Sequence, residues 1–188
     1  MAETQVELLP SVDRINRTMS RSEIELLLEQ HHQDSYTWAL ACCRRNFDLA
    51  QDILQMTYVK ILDGSARFEA RSSFRTWLFG VIRRTAVQTN RKLAVREKLL
   101  RTLFIRRNEP VIPEPHTSLD YSLKSEKLVK ALLKLSNQQC AVLQLVFYHD
   151  MTIEEAALVM KISLGSARTH YARGKKNLAD RLRDRDNE

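Results

Sequence analysis

Glycine and proline are scarce in this chain, with four of each in 188 residues. The sequence holds no glycine-rich phosphate loop and no nucleophile elbow, and no pair of catalytic carboxylates is evident, so an enzyme is not expected. So little proline leaves long stretches free to be helical, and 44% hydrophobic residues point to helical globular structure. No apolar run approaches the roughly 18 residues needed to span a bilayer, and Met1 to Arg21 carries no signal-peptide pattern. A cytoplasmic location is the expectation. Cysteine is limited to three residues. Cys42 and Cys43 are neighbours, where a disulfide would be strained, and Cys140 has no evident partner, which fits a reducing compartment. His31 and His32 with Cys42 and Cys43 match no regular ligand spacing, so neither a metal nor another cofactor is expected.

Acidic residues are nearly missing from one segment. Residues 71–107 hold 11 Lys/Arg and a single acid, Glu97, whereas residues 1–70 hold 7 Lys/Arg against 11 Asp/Glu. Residues 108–160 return to 4 against 7, and residues 161–188 swing back to 8 against 4. Two basic blocks separated by an acidic one suggest two separate contacts with a polyanion.

Residues 1–20 lack sustained periodicity and read as a flexible tail. A helix is expected from Ser22, with Ser22 as cap and Glu25 as its capping-box partner, running through Ile24, Leu27 and Leu28. Further helices are expected at about 33–46, 48–62 and 73–90. In the last, Phe74, Trp77, Leu78, Val81 and Ile82 fall at i, i+3, i+4, i+7 and i+8, a complete buried stripe. Trp77 is therefore expected in the core. Pro110, Pro113 and Pro115 place three of the four prolines within six residues, a semi-rigid spacer. Helical periodicity resumes over Leu119 to Leu135 and Asn137 to Tyr148. The fold expected is all-α: a tail at 1–20, a helical domain at 21–95, a linker at 96–118 and a second helical domain at 119–185.

The segment from Met151 to Thr169 reads as a helix-turn-helix. Thr152 can cap the first helix, with Glu154 and Glu155 in the first turn where the helix dipole favours negative charge. Ile153, Ala156, Ala157 and Met160 gather on one inward face, as do Leu164, Ala167, Tyr171, Gly174 and Leu178 in the second helix. The outward positions of the second helix carry Ser166, Arg168, Thr169, His170, Arg173 and Lys176, groups suited to base edges and phosphates.

These residues resemble the bacterial extracytoplasmic-function sigma factors, the two-domain group of the sigma-70 family. Three matches occur in the family's order. Asp48 to Leu62 resembles the region 2.2 helix that binds the clamp helices of RNA polymerase. Ser73-Phe74-Arg75-Thr76-Trp77-Leu78-Phe79, with its basic continuation to Lys92, resembles the part of region 2 that opens and reads the minus-ten element. Leu135 to Leu178 resembles region 4, which reads the minus-thirty-five element. The chain departs from the family pattern where Gln51 and Met56 stand in place of common acids. Arg84 replaces a usual Asn, and Lys161 replaces the Gly usual in the helix-turn-helix, where a positive φ would strain a side chain.

The resemblance implies contact with the clamp helices and flap of core RNA polymerase, with promoter DNA, and with an anti-sigma partner. Asp52 and Gln55 are the polymerase-binding candidates. For the minus-thirty-five element they are Ser166, Arg168, Thr169, Arg173 and Lys176. For the minus-ten element they are Arg67, Phe68, Arg71, Arg75, Arg83, Arg84, Arg91 and Lys92. Phe68, in the loop from Asp63 to Ser73, could stack an extruded base or sit between helices as core. Two other classes remain open on sequence: a helix-turn-helix regulator that binds duplex DNA without polymerase, and a protein-interaction module.

Overall fold

The computed structural model describes residues 19–103 and 123–183. They form α1 (Arg21–Gln30), α2 (His32–Cys42), α3 (Phe47–Leu62), α4 (Phe74–Leu103), α5 (Leu123–Leu133), α6 (Asn137–Phe147), α7 (Ile153–Met160) and α8 (Leu164–Arg183). The fold is all-α, as the composition implies, with no strand among the described residues.

Ser20 caps α1, two residues before the expected Ser22. The Ser20 hydroxyl accepts from the Glu23 amide at 3.3 Å, and the Ser20 amide donates to the Glu23 carboxylate at 2.7 Å. Two Ser-x-x-Glu patterns overlap out of register here, and both satisfy the capping rule, so sequence alone could not choose between them. α2 stops at Cys42, short of the expected residue 46, because Arg44 and Arg45 take left-handed φ values of 52° and 66°. Asn46 then caps α3, its side-chain oxygen accepting from the Leu49 amide at 2.9 Å.

α4 runs to Leu103, well past residue 90 and across residue 96, where the linker was expected to begin. No Pro or Gly lies between Gly80 and Pro110 to stop it. Pro110, Pro113 and Pro115 lie outside the described residues. Ser73 caps α4, accepting from the Thr76 amide at 3.2 Å.

The first core is built by α2, α3 and α4. Trp38, Ala39, Ala50, Ile53, Leu54, Ile61, Leu78 and Ile82 are buried within it, each large apolar side chain contributing about 1.5–3 kcal/mol. Phe74, Val81 and Ile82 are buried as the α4 stripe requires, but Trp77 is only half-buried. Phe79, off the expected stripe, is fully buried, because α4 packs on α2 and α3 with one face and on α7 with another. Its carbonyl accepts from the Trp38 indole N–H at 3.0 Å.

α6, α7 and α8 form the second unit around Val142, Leu143, Leu145, Ala156, Val159 and Ala167. Thr152 caps α7 with Glu155 as its capping-box partner. Lys161 ends α7 in the left-handed region, φ 53° and ψ 49°, the strain expected of a side chain where the family has Gly. Ser163 starts α8, its hydroxyl accepting from the Ser166 amide at 3.2 Å. α8 approaches α6 closely at Gly174, where a Cβ would lie 3.2 Å from Leu143 Cδ1.

The two units share one continuous core. Ala141, Val142, Met151, Ala156, Val159 and Met160 of the second join Trp38, Phe79 and Ile82 of the first.

Candidate nucleic-acid and polymerase surfaces

α8 presents a sharply two-sided helix. Ala167 and Gly174 are buried and Leu164, Tyr171 and Leu178 half-buried, whereas Ser166, Arg168, Thr169, Arg173 and Lys176 are all exposed. His170, expected on the outward side, is half-buried. Thr169 Oγ1 donates back to the Gly165 carbonyl at 2.9 Å, leaving its methyl and a hydroxyl lone pair outward. Arg168 Nη2 lies 3.2 Å from Glu154 Oε1 on α7. Phe147 stacks on Tyr171 with ring centroids 5.8 Å apart. The inward side of α8 is thus fixed by α6 and α7, and its outward side offers hydroxyl and guanidinium groups.

The eight minus-ten candidates do not form one surface. Arg84 and Arg91, seven residues apart on α4, are both exposed on one helical face, and Lys92 is exposed beside them. Arg67 is exposed, its Nε donating to the Gly64 carbonyl at 3.3 Å; Arg71 is exposed and paired with Glu69 at 2.9 Å. Arg75 is half-buried, paired with Asp34 at 3.1 Å and lying 5.3 Å from the centre of the Phe79 ring. Arg83 is half-buried and faces the second unit, Nη2 donating to Gln138 Oε1 of α6 at 2.7 Å. Phe68 packs on Phe74 and Trp77, with centroids 5.4 and 5.3 Å away, in a half-open aromatic cluster at the start of α4.

On α3, Asp52 and Gln55 are exposed. Between and beyond them stand Met56, 37% exposed, and Val59, 61% exposed, so that residues 52, 55, 56 and 59 share one outward face at i, i+3, i+4 and i+7. Sequence reading took the polar pair as candidates, named Met56 only as a departure from a common acid, and did not single out Val59. The signal was present as a second apolar stripe, but in a helix also carrying Ile53, Leu54 and Ile61 it was masked by the core stripe. In the second unit Phe147, Tyr148 and Leu158 are also exposed, at 61%, 63% and 59%.

Burial raises the pKa of all three thiols, Cys43 to about 12, so none is primed as a thiolate. Cys42 and Cys140 line a cleft of about 630 Å³ between the two units, together with Arg44, Arg83 and Arg91. His32 Nδ1 lies 3.2 Å from the Tyr58 hydroxyl, while the His31 ring stacks on Phe74 at 6.1 Å, so the two histidines face different neighbours.

The described helices align with two family models in the order the resemblance implies. Residues 27–95 match sigma-70 region 2, and residues 125–178 match sigma-70 region 4. The chain is 33% identical over 159 residues to RNA polymerase sigma factor YlaC of Bacillus subtilis, a match that covers 81% of this chain and 89% of that one. It belongs to the extracytoplasmic-function sigma factors of the sigma-70 family. ECF RNA polymerase sigma factor SigX of Bacillus subtilis is 28% identical over 159 residues, covering 82% of this chain and 80% of that one. Two solved structures share the fold. RpoE from Bartonella quintana, in complex with the anti-sigma factor NepR, superposes with a TM-score of 0.68 at 23% identity, covering 86% of this chain and 98% of that one. CnrH, in complex with the cytosolic domain of CnrY, gives 0.59 at 20% identity, covering 88% and 90%.

As a member of this family the sigma factor binds core RNA polymerase and directs it to promoters. The loop before α4, and α4 itself up to residue 95, lie in region 2; the α7–α8 helix-turn-helix lies in region 4. The polymerase-independent regulator left open by the sequence is not favoured. No described helix is long and apolar enough to cross a membrane.

Proposed function

We propose that three surfaces divide the work of initiation in this sigma factor. The observation that carries the reading is the exposed arc of α8: five hydrogen-bonding or cationic side chains face outward, while Ala167 and Gly174 of the same helix are buried. Arg168 reads a base of the minus-thirty-five element by a bidentate contact, Arg173 contacts a base or phosphate, Ser166 and Thr169 add hydrogen bonds, and Lys176 anchors a phosphate. Arg84, Arg91 and Lys92 hold the backbone near the minus-ten element. Arg67, Phe68 and Arg71 form the pocket for a base once the strands part, Arg75 supports that pocket from the start of α4, and Arg83 joins the phosphate contacts. Each DNA contact is weak alone, and the spacer that joins the two units raises the effective concentration of the second contact.

Asp52 and Gln55 bind the polymerase clamp helices, with Met56 and Val59 supplying the apolar part that a stable interface needs. Phe147, Tyr148 and Leu158 are suited to the flap. The units are a tail at 1–20, region 2 from residue 21, a linker that begins beyond the end of α4 at Leu103 and runs to residue 118, and region 4 at 119–185. The protein works in the bacterial cytoplasm, performs no catalysis and needs no cofactor. An anti-sigma partner that covers the polymerase and DNA surfaces regulates it; the two solved relatives were both captured in complexes.

The test is transcription with core polymerase on promoter libraries randomised at each element. Arg168→Ala should relax selection at one or two adjacent minus-thirty-five positions, and Phe68→Ala should slow open-complex formation with the minus-thirty-five preference unchanged. If neither variant alters selection or opening, the division of surfaces is wrong.

A further inference from the structure

Arg83, Ala86, Val87, Asn90, Arg91 and Ala94 recur on α4 at i, i+3, i+4, i+7, i+8 and i+11, one continuous helical face, and all of them line the cleft of about 630 Å³ between the two units. That face runs about 16 Å along the helix axis. Val129, Leu132 and Leu133 of α5 give the same cleft an aliphatic wall. At Arg83 the lining turns polar. Arg83 Nη2 donates to Gln138 Oε1 at 2.7 Å, and Arg44 Nε donates to Asn137 Oδ1 at 3.2 Å. Both acceptors are neutral amides, and no Asp or Glu is among the described residues that line the cleft. Burial keeps the Cys42 and Cys140 thiols, which also line it, in the neutral form. The charges of Arg44, Arg83 and Arg91 therefore meet no counter-charge inside the cleft, although an aliphatic surface lies beside them.

We propose that this cleft binds one elongated organic anion: a small molecule with an aliphatic or ring body and a carboxylate, phosphate or sulfonate head. The volume falls within the range of about 300–1,000 Å³ usual for small-molecule sites. A guanidinium offers more N–H donors than one amide oxygen can accept, so an anionic head adds charge-assisted bonds to Arg44 and Arg83 without displacing Asn137 or Gln138. The body covers Val87 and the α5 wall, which supplies the hydrophobic part of the affinity. A nucleic-acid strand suits the cleft less well. Its bases need aromatic planes to stack on, whereas the aliphatic lining is Ala, Val and Leu, and Trp38, the one aromatic among the described lining residues, is fully buried. A bound anion draws on Arg83 and Arg91, which also serve the minus-ten contacts proposed above, so the cleft couples a small molecule to promoter binding. That coupling rests on the promoter reading; the binding site itself does not.

The experiment titrates the full chain, without polymerase or DNA, with cis-parinaric acid, a long-chain carboxylate that fluoresces in apolar sites, at concentrations below micelle formation. One saturable site is expected. Decyl phosphate should displace the probe, whereas decanol, which lacks the charge, and inorganic phosphate, which lacks the body, should not. Arg44→Gln should weaken binding about tenfold, the loss of one charge-assisted contact. Val87→Glu, at a position 37% exposed, places an acid inside the cleft and should weaken binding by at least as much, while Leu26→Glu, at an apolar position on α1 that is 56% exposed, should change nothing. A wild type without saturable binding overturns the proposal. So does displacement by decanol or inorganic phosphate as effective as by decyl phosphate, or a loss in Leu26→Glu equal to that in Val87→Glu. If circular dichroism shows Val87→Glu to be unfolded, Arg44→Gln decides, because its side chain is exposed, and unchanged affinity there overturns the proposal too. No readout uses polymerase or DNA, so failure here and failure of the promoter reading are seen separately.

Discussion

Arg168 on the recognition helix reaches back 3.2 Å to Glu154 on the first helix of the helix-turn-helix. Both side chains are more than half exposed, so the pair adds little to stability. Its consequence is positional: it limits the rotamers of the guanidinium before DNA arrives. Arg168→Ala should cost about 1–3 kcal/mol of promoter affinity, confined to the sequence matched by that arginine. Lys176→Ala should instead weaken binding to all sequences alike and lower the salt dependence by about one counterion. Binding titrations of the polymerase complex at several salt concentrations separate the two. Equal sequence dependence in both variants would contradict the assignment.

Lys161 adopts a left-handed conformation at the end of α7, and its side chain is exposed. Glycine removes the clash between Cβ and the following carbonyl that makes this conformation costly. Lys161→Gly should therefore stabilise the protein by about 1 kcal/mol, seen as a higher urea midpoint with unchanged slope. A lower midpoint would show that the lysine contributes something other than strain.

His149 is held neutral. Burial against Trp38 and Phe79 lowers its pKa from 6.5 to about 4, Arg75 adds to the effect, and Asp34 and Asp150 oppose it. The proton binds more readily to the unfolded chain, so stability is full above about pH 6.5 and is lost as pH falls toward 4. Between pH 7.5 and 5 this one group should remove about 2 kcal/mol. His149→Leu deletes the titration together with two buried nitrogens that lack partners. Urea unfolding at both pH values should show the variant losing about 2 kcal/mol less than wild type. Identical pH dependence would mean that His149 stays hydrated.

Val59 stands 61% exposed on the face of α3 that also carries Asp52 and Gln55. Val59→Asp places a charge where the polymerase surface would bury a methyl group, and should weaken binding to core polymerase by about 1–3 kcal/mol with folding stability within about 0.5 kcal/mol of wild type. Competition against a second sigma factor for limiting core polymerase measures the loss. An unchanged competition constant would place the polymerase contact elsewhere.

Helix types and the two-block organisation were legible because proline and glycine are rare and the apolar spacing is regular. Thr152 and Lys161 show that legibility at its best: the cap was readable from residue type, and the turn strain from the resemblance, which places a Gly where Lys161 stands. Ser20 and Phe79 show where it fails. Two overlapping capping boxes are equivalent until the chain is packed, and a helix that buries two faces carries two stripes that sequence periodicity merges into one. The outward arc of α8 was readable in sequence because small residues mark its inward side. The packing of His149 against Phe79 was not, since a contact between residues 70 positions apart along the chain leaves no local pattern. Arg83 and Arg75 look like free cations in sequence; only packing reveals that Gln138 and Asp34 hold them.

The most direct test of promoter direction is reconstitution of this chain with purified core polymerase on a pool of genomic fragments, followed by sequencing of transcript 5′ ends. Discrete start sites that share two spaced upstream elements, absent with core polymerase alone, are the predicted result. Start sites no different from those of core polymerase alone would contradict it.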